Sequence, residues 1–552
     1  MSPPELDILI IGGGPTGLTL ALELASQTPI PSFRIIESST TRSDKSRAFV
    51  LHPRTLELLA RHGAPLIEKL VPLGVFNAAV RFYAKKAFVY EVGLGEGVMG
   101  TDTRYSQSLM ISQAETEGVL EDALGRFGIA VERGVRAESL VQDDDGVTCI
   151  LKTPCEGGGG GGGGDGSERE EEVRCKYVVG CDGAHSIVRK SAGMKFEGGV
   201  YPQDFILADV HMKWEQKACF SMFLGSGFLG VFPLNNGIFR LIVSRAQERG
   251  KEDDLTVQVF QDVVDEFVPG KTELYDPTWI TRFRLHHRMV DCYRKGRCFV
   301  AGDAAHIHSP VGGQGMNTGM QDAVNLAWKL GSVLKGQSND ALLDSYDKER
   351  SKVGMKLLYT TDRLFEMMAT SNPVVLWLRN TAVPWIIPWT MSNQKVKEKR
   401  FRFVSQLEIR YRESPIVGQA SSWNGQLRGG DRAPDGELSG GDEKKWLLGL
   451  CSGVGFHLLL FSGIGDVGLS DQKLEEAGEN FLKESNDAVK IHKILTLPNS
   501  ATRGNGNTDA EGTIHELYGF KEPGYVLVRP DGYISFIGLL STMDELKRWV
   551  KR

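Results

Sequence analysis

Residues 301–317 read AGDAAHIHSPVGGQGMN, with an acid at Asp303, histidines at 306 and 308, a proline at 310 and four glycines. Two histidines suggest a metal. Bare backbone suggests a group that approaches the main chain closely, either a phosphate or a flat ring. The metal reading is poor: residues one apart on a strand point to opposite faces, catalytic zinc needs three protein ligands, and no third stands nearby. No metal is expected. His306 is read as structural and His308 as lining an entrance.

A second stretch is Gly12-x-Gly14-x-x-Gly17. The spacing alone says little, because it recurs at 95–100, 225–230 and 463–468. The first copy alone follows a short apolar run, LDILII, and opens a helical pattern, LTLALELASQ. There Gly12 permits a tight turn and Gly14 lets a pyrophosphate approach the backbone. Gly17 lets helix and strand pack closely, with Pro15 and Thr16 at the helix start. The next strand, FRIIES, ends in Glu37 and Ser38. The Glu37 carboxylate can accept hydrogen bonds from an adenosine ribose. NAD and FAD both fit this loop.

The elements that must hold these groups follow from the whole chain. With 552 residues, two to four domains are expected. The net charge, 64 − 70 = −6, gives no global field for nucleic acid. Eight cysteines without a C-x-x-C pair read as reduced thiols, and the N-terminus lacks a basic leader, so a cytoplasmic location is expected. The apolar run 374–391 is interrupted by Arg379, Asn380 and two prolines and fails as a membrane span. It reads as a buried helix and turn. The basic run KVKEKRFRF that follows makes contact with a membrane surface the second reading.

Two further strand-turn-helix units carry Asp182-Gly183, in YVVGCDGAHSIVRK, and Gly302-Asp303, in RCFVAGDAAH. Residues 205–245 alternate like antiparallel strands, and DAVNLAWKLGSVLKG is a long helix. The eight glycines at 157–164 read as a flexible hairpin tip without function.

In this order the three glycine-acid motifs resemble the class A flavoprotein monooxygenases, the aromatic hydroxylases related to phenol hydroxylase and polyketide hydroxylases, over roughly residues 5–360. The resemblance implies an α/β fold. A Rossmann-like FAD-binding domain (1–80, 101–195 and 285–360) is interleaved with an antiparallel-sheet substrate domain (81–100 and 196–284). A helical connection (361–424) then leads to a thioredoxin-like domain (425–552), similar in GDRAPDGEL and VLVRPDGYISFIG. The implied activity is FAD-dependent hydroxylation of a phenolic or polyketide-type aromatic with NAD(P)H and O2, through a flavin C4a-hydroperoxide. Baeyer–Villiger insertion, epoxidation and a non-catalytic flavin protein are the alternatives.

The resemblance also implies roles. Asp303 would hold the ribityl chain, and the backbone of Gly313, Gln314, Gly315, Met316 and Asn317 would face the flavin pyrimidine edge. Pro310 would lie over the flavin near C4a. Asp182 and Gly183 would serve FAD and NAD(P)H, and Ser46, Arg47, Ala48 and Gln113 would contact FAD. Phe49 and Ile242 fall where an aspartate and a tyrosine act in the phenol hydroxylase branch, while Arg240 keeps an arginine. Neither Phe49 nor Ile242 can take a proton. His286, His287, Tyr201 and His211 are the candidate bases, and a bulky, activated ring is the expected substrate. The C-terminal domain has one cysteine, Cys451, so paired thiol chemistry is excluded; a structural or dimer-stabilising role is implied, and a homodimer is allowed.

Overall fold

The computed structural model describes residues 6–551, apart from 43–47, 78, 94–101, 156–167, 215–218, 226, 246–254, 310–311, 369–371, 392, 440–444, 465–468, 485–488 and 497–506. Ser46, Arg47, Pro310 and the glycine tract therefore lie outside the described residues.

The chain opens as its apolar spacing predicts. β1 (Leu6–Ile11) leads through the glycine loop into α1 (Pro15–Ala25), and β2 (Phe33–Glu37) returns parallel to β1. On the other side of β1 lies β3 (Glu168–Gly180), also parallel. β1 is apolar and almost wholly buried because helices and strands cover both of its faces. The outer half of β3 pairs antiparallel with Val147–Pro154, out to Pro154 opposite Glu168.

The chain then crosses into a second, eight-stranded sheet. Its long members are β4 (Phe196–Met212), β5 (Ile238–Arg245) and β6 (Leu274–Val290), with β4 antiparallel to both neighbours. Strand Ala79–Ala84 joins it through Cys219–Leu224 and carries Ala87–Gly93 at the edge. Side chains alternate across β4 and β5. Ile206, Ala208, Val210, Leu241 and Val243 face the helix Val257–Phe267, while Phe205, Leu207 and Ile242 face the other way, towards Phe49, Val50 and Met110. β6 runs through residues 284 and 285, so the expected domain boundary there falls inside a strand.

β7 (Cys298–Val300) returns to the first sheet beside β3, giving the parallel order β7-β3-β1-β2. α2 (Gly315–Leu334) follows and packs on α1. A Cβ on Gly319 would stand 2.5 Å from Thr16 Oγ1, so that contact needs a glycine. Helices α3 (Asp344–Met368), α4 (Pro373–Met391) and α5 (Gln394–Val404) come next. The run expected to be a buried helix and turn is one continuous helix, α4, and it is exposed: Trp377, Trp385 and Trp389 all face solvent. Apolar composition signalled burial, but α4 rests only lightly on Ala87–Gly93 and α5.

The C-terminal sheet has the order Gly418–Gln419, Ile534–Leu539, Gly524–Val528, Phe456–Phe461, Val489–Thr496, Asn507–Asp509. Its turn at 529–532 plugs into the first domain. Arg529 holds Glu349 of α3 at 2.7 and 2.9 Å, and the Asp531 carboxylate accepts from Asn325 and Trp328 of α2. All five side chains are buried.

Candidate active site

The carboxyl ends of β1, β2, β3 and β7 converge, where ligands of parallel α/β sheets bind. Their loops are tied by backbone: Gly12 N–H donates to Ile36 O, Cys181 N–H to Ile11 O and Ala301 N–H to Gly180 O, at 2.9, 2.7 and 3.0 Å. Gly12 has φ +112°, and a Cβ there would come within 2.3 Å of Cys181 O. Gly17 is as tightly enclosed, 1.9 Å from Gly12 O. Gly14 differs: nothing lies within 4 Å of where its Cβ would point. Glu37 ends β2 with its carboxylate on the loop, accepting from Gly13 N–H at 2.8 Å and Ser39 N–H at 2.9 Å. Ser38 is exposed beside it.

At the next loop Asp182 accepts from Ile187 N–H at 2.7 Å through Oδ2, while Oδ1 is buried without a partner. Burial pushes its carboxyl above the usual range, against hydrogen bonds from Ser186 and the backbone. Gly183, at φ +70°, faces open space. At the third loop Gly302 adopts φ +61° against Thr16, and Asp303 is exposed at the mouth.

The structure explains what holds this third loop. Asp322 of α2 accepts from Gly302 N–H at 3.1 Å, from His306 Nε2 at 2.8 Å and from Arg350 Nε at 2.6 Å. Burial works against the Asp322 charge, but Arg350 and His306 outweigh it and lower its pKa. Asp322 and Arg350 carried no local sequence signal. His306 is thus a buried hydrogen-bond partner of Asp322. Among the described residues no three His, Cys, Asp or Glu side chains cluster as metal ligands would.

The helix α2 begins beside these loops. Its ladder starts with Thr318 N–H to Gln314 O, so the N–H groups of Gly315, Met316 and Asn317 precede it. Gly313 takes φ +62° against Val50. The Asn317 side chain staples this end: it accepts from His52 N–H and donates to Val50 O and Gly313 O, at 2.8, 2.8 and 3.0 Å. The Gln314 amide donates to Phe403 O of α5, so its side chain faces away from the loops. His308 sits against Gly315, with Nδ1 donating to Ser309 O at 2.7 Å and Nε2 buried without a partner. Burial and His306 lower its pKa to about 4, so it is neutral at pH 7. Ala48 lies next to the start of Gln113–Gly125, accepting from Gln113 N–H at 3.2 Å.

FAD fits this arrangement. Open space at Gly14 and Gly183 would leave room for phosphate and ribose, and the unpartnered Asp182 Oδ1 and His308 Nε2 would be free to bond polar edges of the cofactor. The N-terminus of α2 would offer N–H groups to a ring that gains negative charge on reduction.

Beyond the loops lies the face of the second sheet that looks at Phe49. Phe49 and Ile242 both belong to this buried apolar cluster, with Phe205, Phe228, Phe283 and Tyr201. Phe49 meets Phe232 edge-on, centroids 4.5 Å apart. Arg240 is buried on the same face, paired to Asp209 at 2.8 and 2.7 Å, with Nη1 lacking a partner. Of the candidate bases, Tyr201 and His287 meet, ring centroids 4.7 Å apart, and the Tyr201 hydroxyl donates to Asp362. His211 stacks on Tyr275 instead and is separate from this pair.

A family model described as an FAD binding domain matches residues 5–361. The chain is 31% identical to 6-methylpretetramide 4-monooxygenase of Streptomyces rimosus over 97% of this chain and 92% of that protein. It is 29% identical to pentachlorophenol 4-monooxygenase of Sphingobium chlorophenolicum, over 96% and 93% of the two chains. The solved structure of the OxyS anhydrotetracycline hydroxylase from Streptomyces rimosus superposes with a TM-score of 0.72, at 26% identity, over 99% of this chain and 98% of that one. The chain belongs to the FAD-binding domain family of flavoproteins. Within it, the protein is an FAD-dependent monooxygenase, as the glycine and acid motifs implied.

Proposed function

We propose that this enzyme hydroxylates a fused-ring or polyphenolic aromatic, with NAD(P)H and O2 as co-substrates. When bound and reduced, FAD supplies the activation of O2. The observation that carries the substrate reading is the ring-lined face around Phe49 and Ile242, with one unpartnered guanidinium nitrogen, Arg240 Nη1, buried within it. Flat apolar rings match such a face, and the buried N–H gives an oxygen substituent one strong bond. Relatives named for pretetramide and chlorophenol oxygenation support an aromatic substrate.

The chain's own groups have distinct tasks in this reading. Asp209 fixes the Arg240 fork, and Arg240 orients the substrate oxygen and favours its ionised form. That removes the need for the aspartate and tyrosine that Phe49 and Ile242 replace. Tyr201, held by Asp362, borders the same cluster and is placed to relay a proton. Pro310, Ser46 and Arg47 keep the roles the resemblance gives them: cover over the flavin and contacts to FAD.

For the C-terminal unit the reading is a thioredoxin-like, structural domain. Its central strand Phe456–Phe461 is parallel to Val489–Thr496 and antiparallel to Gly524–Val528, which forms a hairpin with Ile534–Leu539; this supports that likeness. Cys451 is buried and its thiol is pushed up to about 12, which suits packing rather than redox chemistry.

NADPH oxidation by the holoenzyme, compared across phenol, a dihydroxynaphthalene and a tetracyclic polyketide phenol, tests the substrate reading. The fused rings should stimulate oxidation most. Stimulation by phenol equal to or above that of the larger rings would overturn it.

A further inference from the structure

The helix α4 presents an apolar stripe to solvent. Val374, Leu378, Trp385 and Trp389 recur at helical spacing along one side, with Trp377 on its flank; the three tryptophans are 64%, 78% and 76% exposed. A soluble surface rarely spends three tryptophans this way. The next helix, α5, packs against α4 and is basic although the chain as a whole is acidic. Lys395 and Lys399 are exposed there and enter no ion pair among the described residues. By contrast Lys352 and Lys356 on α3 are paired to Glu413 and Glu408.

We propose that α4 and α5 form a docking surface for an anionic phospholipid membrane. Tryptophan and leucine on an exposed helix side suit the headgroup boundary, and neighbouring lysines suit acidic headgroups. No helix of the described chain is long and apolar enough to cross the membrane, so α4 lies on the surface. A second copy of the chain is the poorer occupant. A two-fold contact through this stripe would bring one lysine-rich helix towards its own mate. The placement suits the proposed chemistry and rests on it only for its purpose. A groove of about 390 Å3 runs beside α4, lined by Leu376, Trp377, Phe267 and Leu224 together with the charged Lys85, Lys86 and Glu266, and Leu224 also belongs to the ring-lined cluster. An apolar aromatic dissolved in lipid would meet the protein beside that cluster.

The test is sedimentation of the holoenzyme with vesicles of phosphatidylcholine alone and with about one third phosphatidylserine, read with tryptophan emission. Binding should be about tenfold stronger to the serine lipid, fall in high salt, and come with a blue shift. Trp385→Ser with Trp389→Ser should abolish binding and the shift while leaving FAD content and NADPH oxidation in solution unchanged. Lys395→Glu with Lys399→Glu should remove the preference for acidic lipid. Three outcomes would overturn the proposal: equal or absent binding to both vesicles, binding indifferent to these variants, or a dimer in solution that the tryptophan variant dissociates. None of them bears on whether the enzyme is a monooxygenase.

Discussion

Arg240 and Asp209 face each other across β4 and β5 in direct register, joined by two hydrogen bonds of 2.8 and 2.7 Å inside an otherwise apolar face. A buried pair of this kind is costly to break and cheap to replace whole. Asp209→Ala should therefore destabilise the protein by about 3–5 kcal/mol in urea melts, because it strands the Arg240 charge. The double variant Asp209→Leu with Arg240→Met should recover most of that loss yet bind substrate poorly. Full substrate affinity in the stable double variant would show that Arg240 does not touch the substrate.

The glycine loop separates glycines enclosed by the fold from Gly14, whose side faces open space. Gly17→Ala puts a Cβ 1.9 Å from Gly12 O and should yield little folded protein. Gly14→Ala meets nothing and should fold normally but hold FAD about tenfold or more weakly, since the pyrophosphate would need that space. Bound flavin per chain, by absorbance after gel filtration, is the readout; full flavin in folded Gly14→Ala would refute the placement of the phosphates. Asp303→Ala should likewise lower flavin content without loss of fold, because Asp303 is exposed.

Phe49, which the resemblance sets where the phenol branch has an acid, packs on Phe232 and under Arg240. Phe49→Asp places a carboxyl in that apolar cluster, at a cost of several kcal/mol or a raised pKa. Substrate binding should weaken and product yield per NADPH should fall. A faster single turnover with unchanged affinity would mean that the face accepts a base.

Asp435 lies buried where the C-terminal unit meets the first domain, and its Oδ1 accepts from Gly436 and Leu448 N–H at 3.0 and 2.8 Å. Burial raises its carboxyl from 3.8 to about 7. The folded chain therefore holds this proton more tightly than the unfolded chain. The stability it contributes is full below pH 3.8 and is lost as pH rises through 7. Asp435→Asn keeps the acceptor and removes the titration. Its Tm should exceed that of the wild type by a margin that widens from pH 5 to pH 7 and is flat above. Parallel Tm profiles would show that the Asp435 proton is not linked to folding.

Much of the nucleotide half was legible because its signals are local. A short apolar strand, three glycines and a terminal acid within residues 6–37 specify one βαβ unit, and it formed as read. The hub at Asp322 was not legible, because its partners Gly302, His306 and Arg350 converge only through the packing of α2 on the turn at 302–304 and on α3. Asp209 was within reach: pairing FILADVHMKW with FRLIVS as antiparallel strands sets it against Arg240. Tyr201 was on the candidate roster, but Asp362 comes from a helix 161 residues later and no spacing rule joins them. The exposed side of α4 misled for a physical reason. Apolar content reports what a helix would gain by burial, and says nothing of whether the chain supplies a cover.

The most direct measurement is one turnover of the holoenzyme, reduced with NADPH and mixed with 18O2 and the fused-ring phenol that most stimulates NADPH oxidation. The expected product carries one added oxygen, and that oxygen is 18O. Hydrogen peroxide as the sole oxygen product, or label drawn from water instead of O2, would contradict an aromatic hydroxylase built on this site.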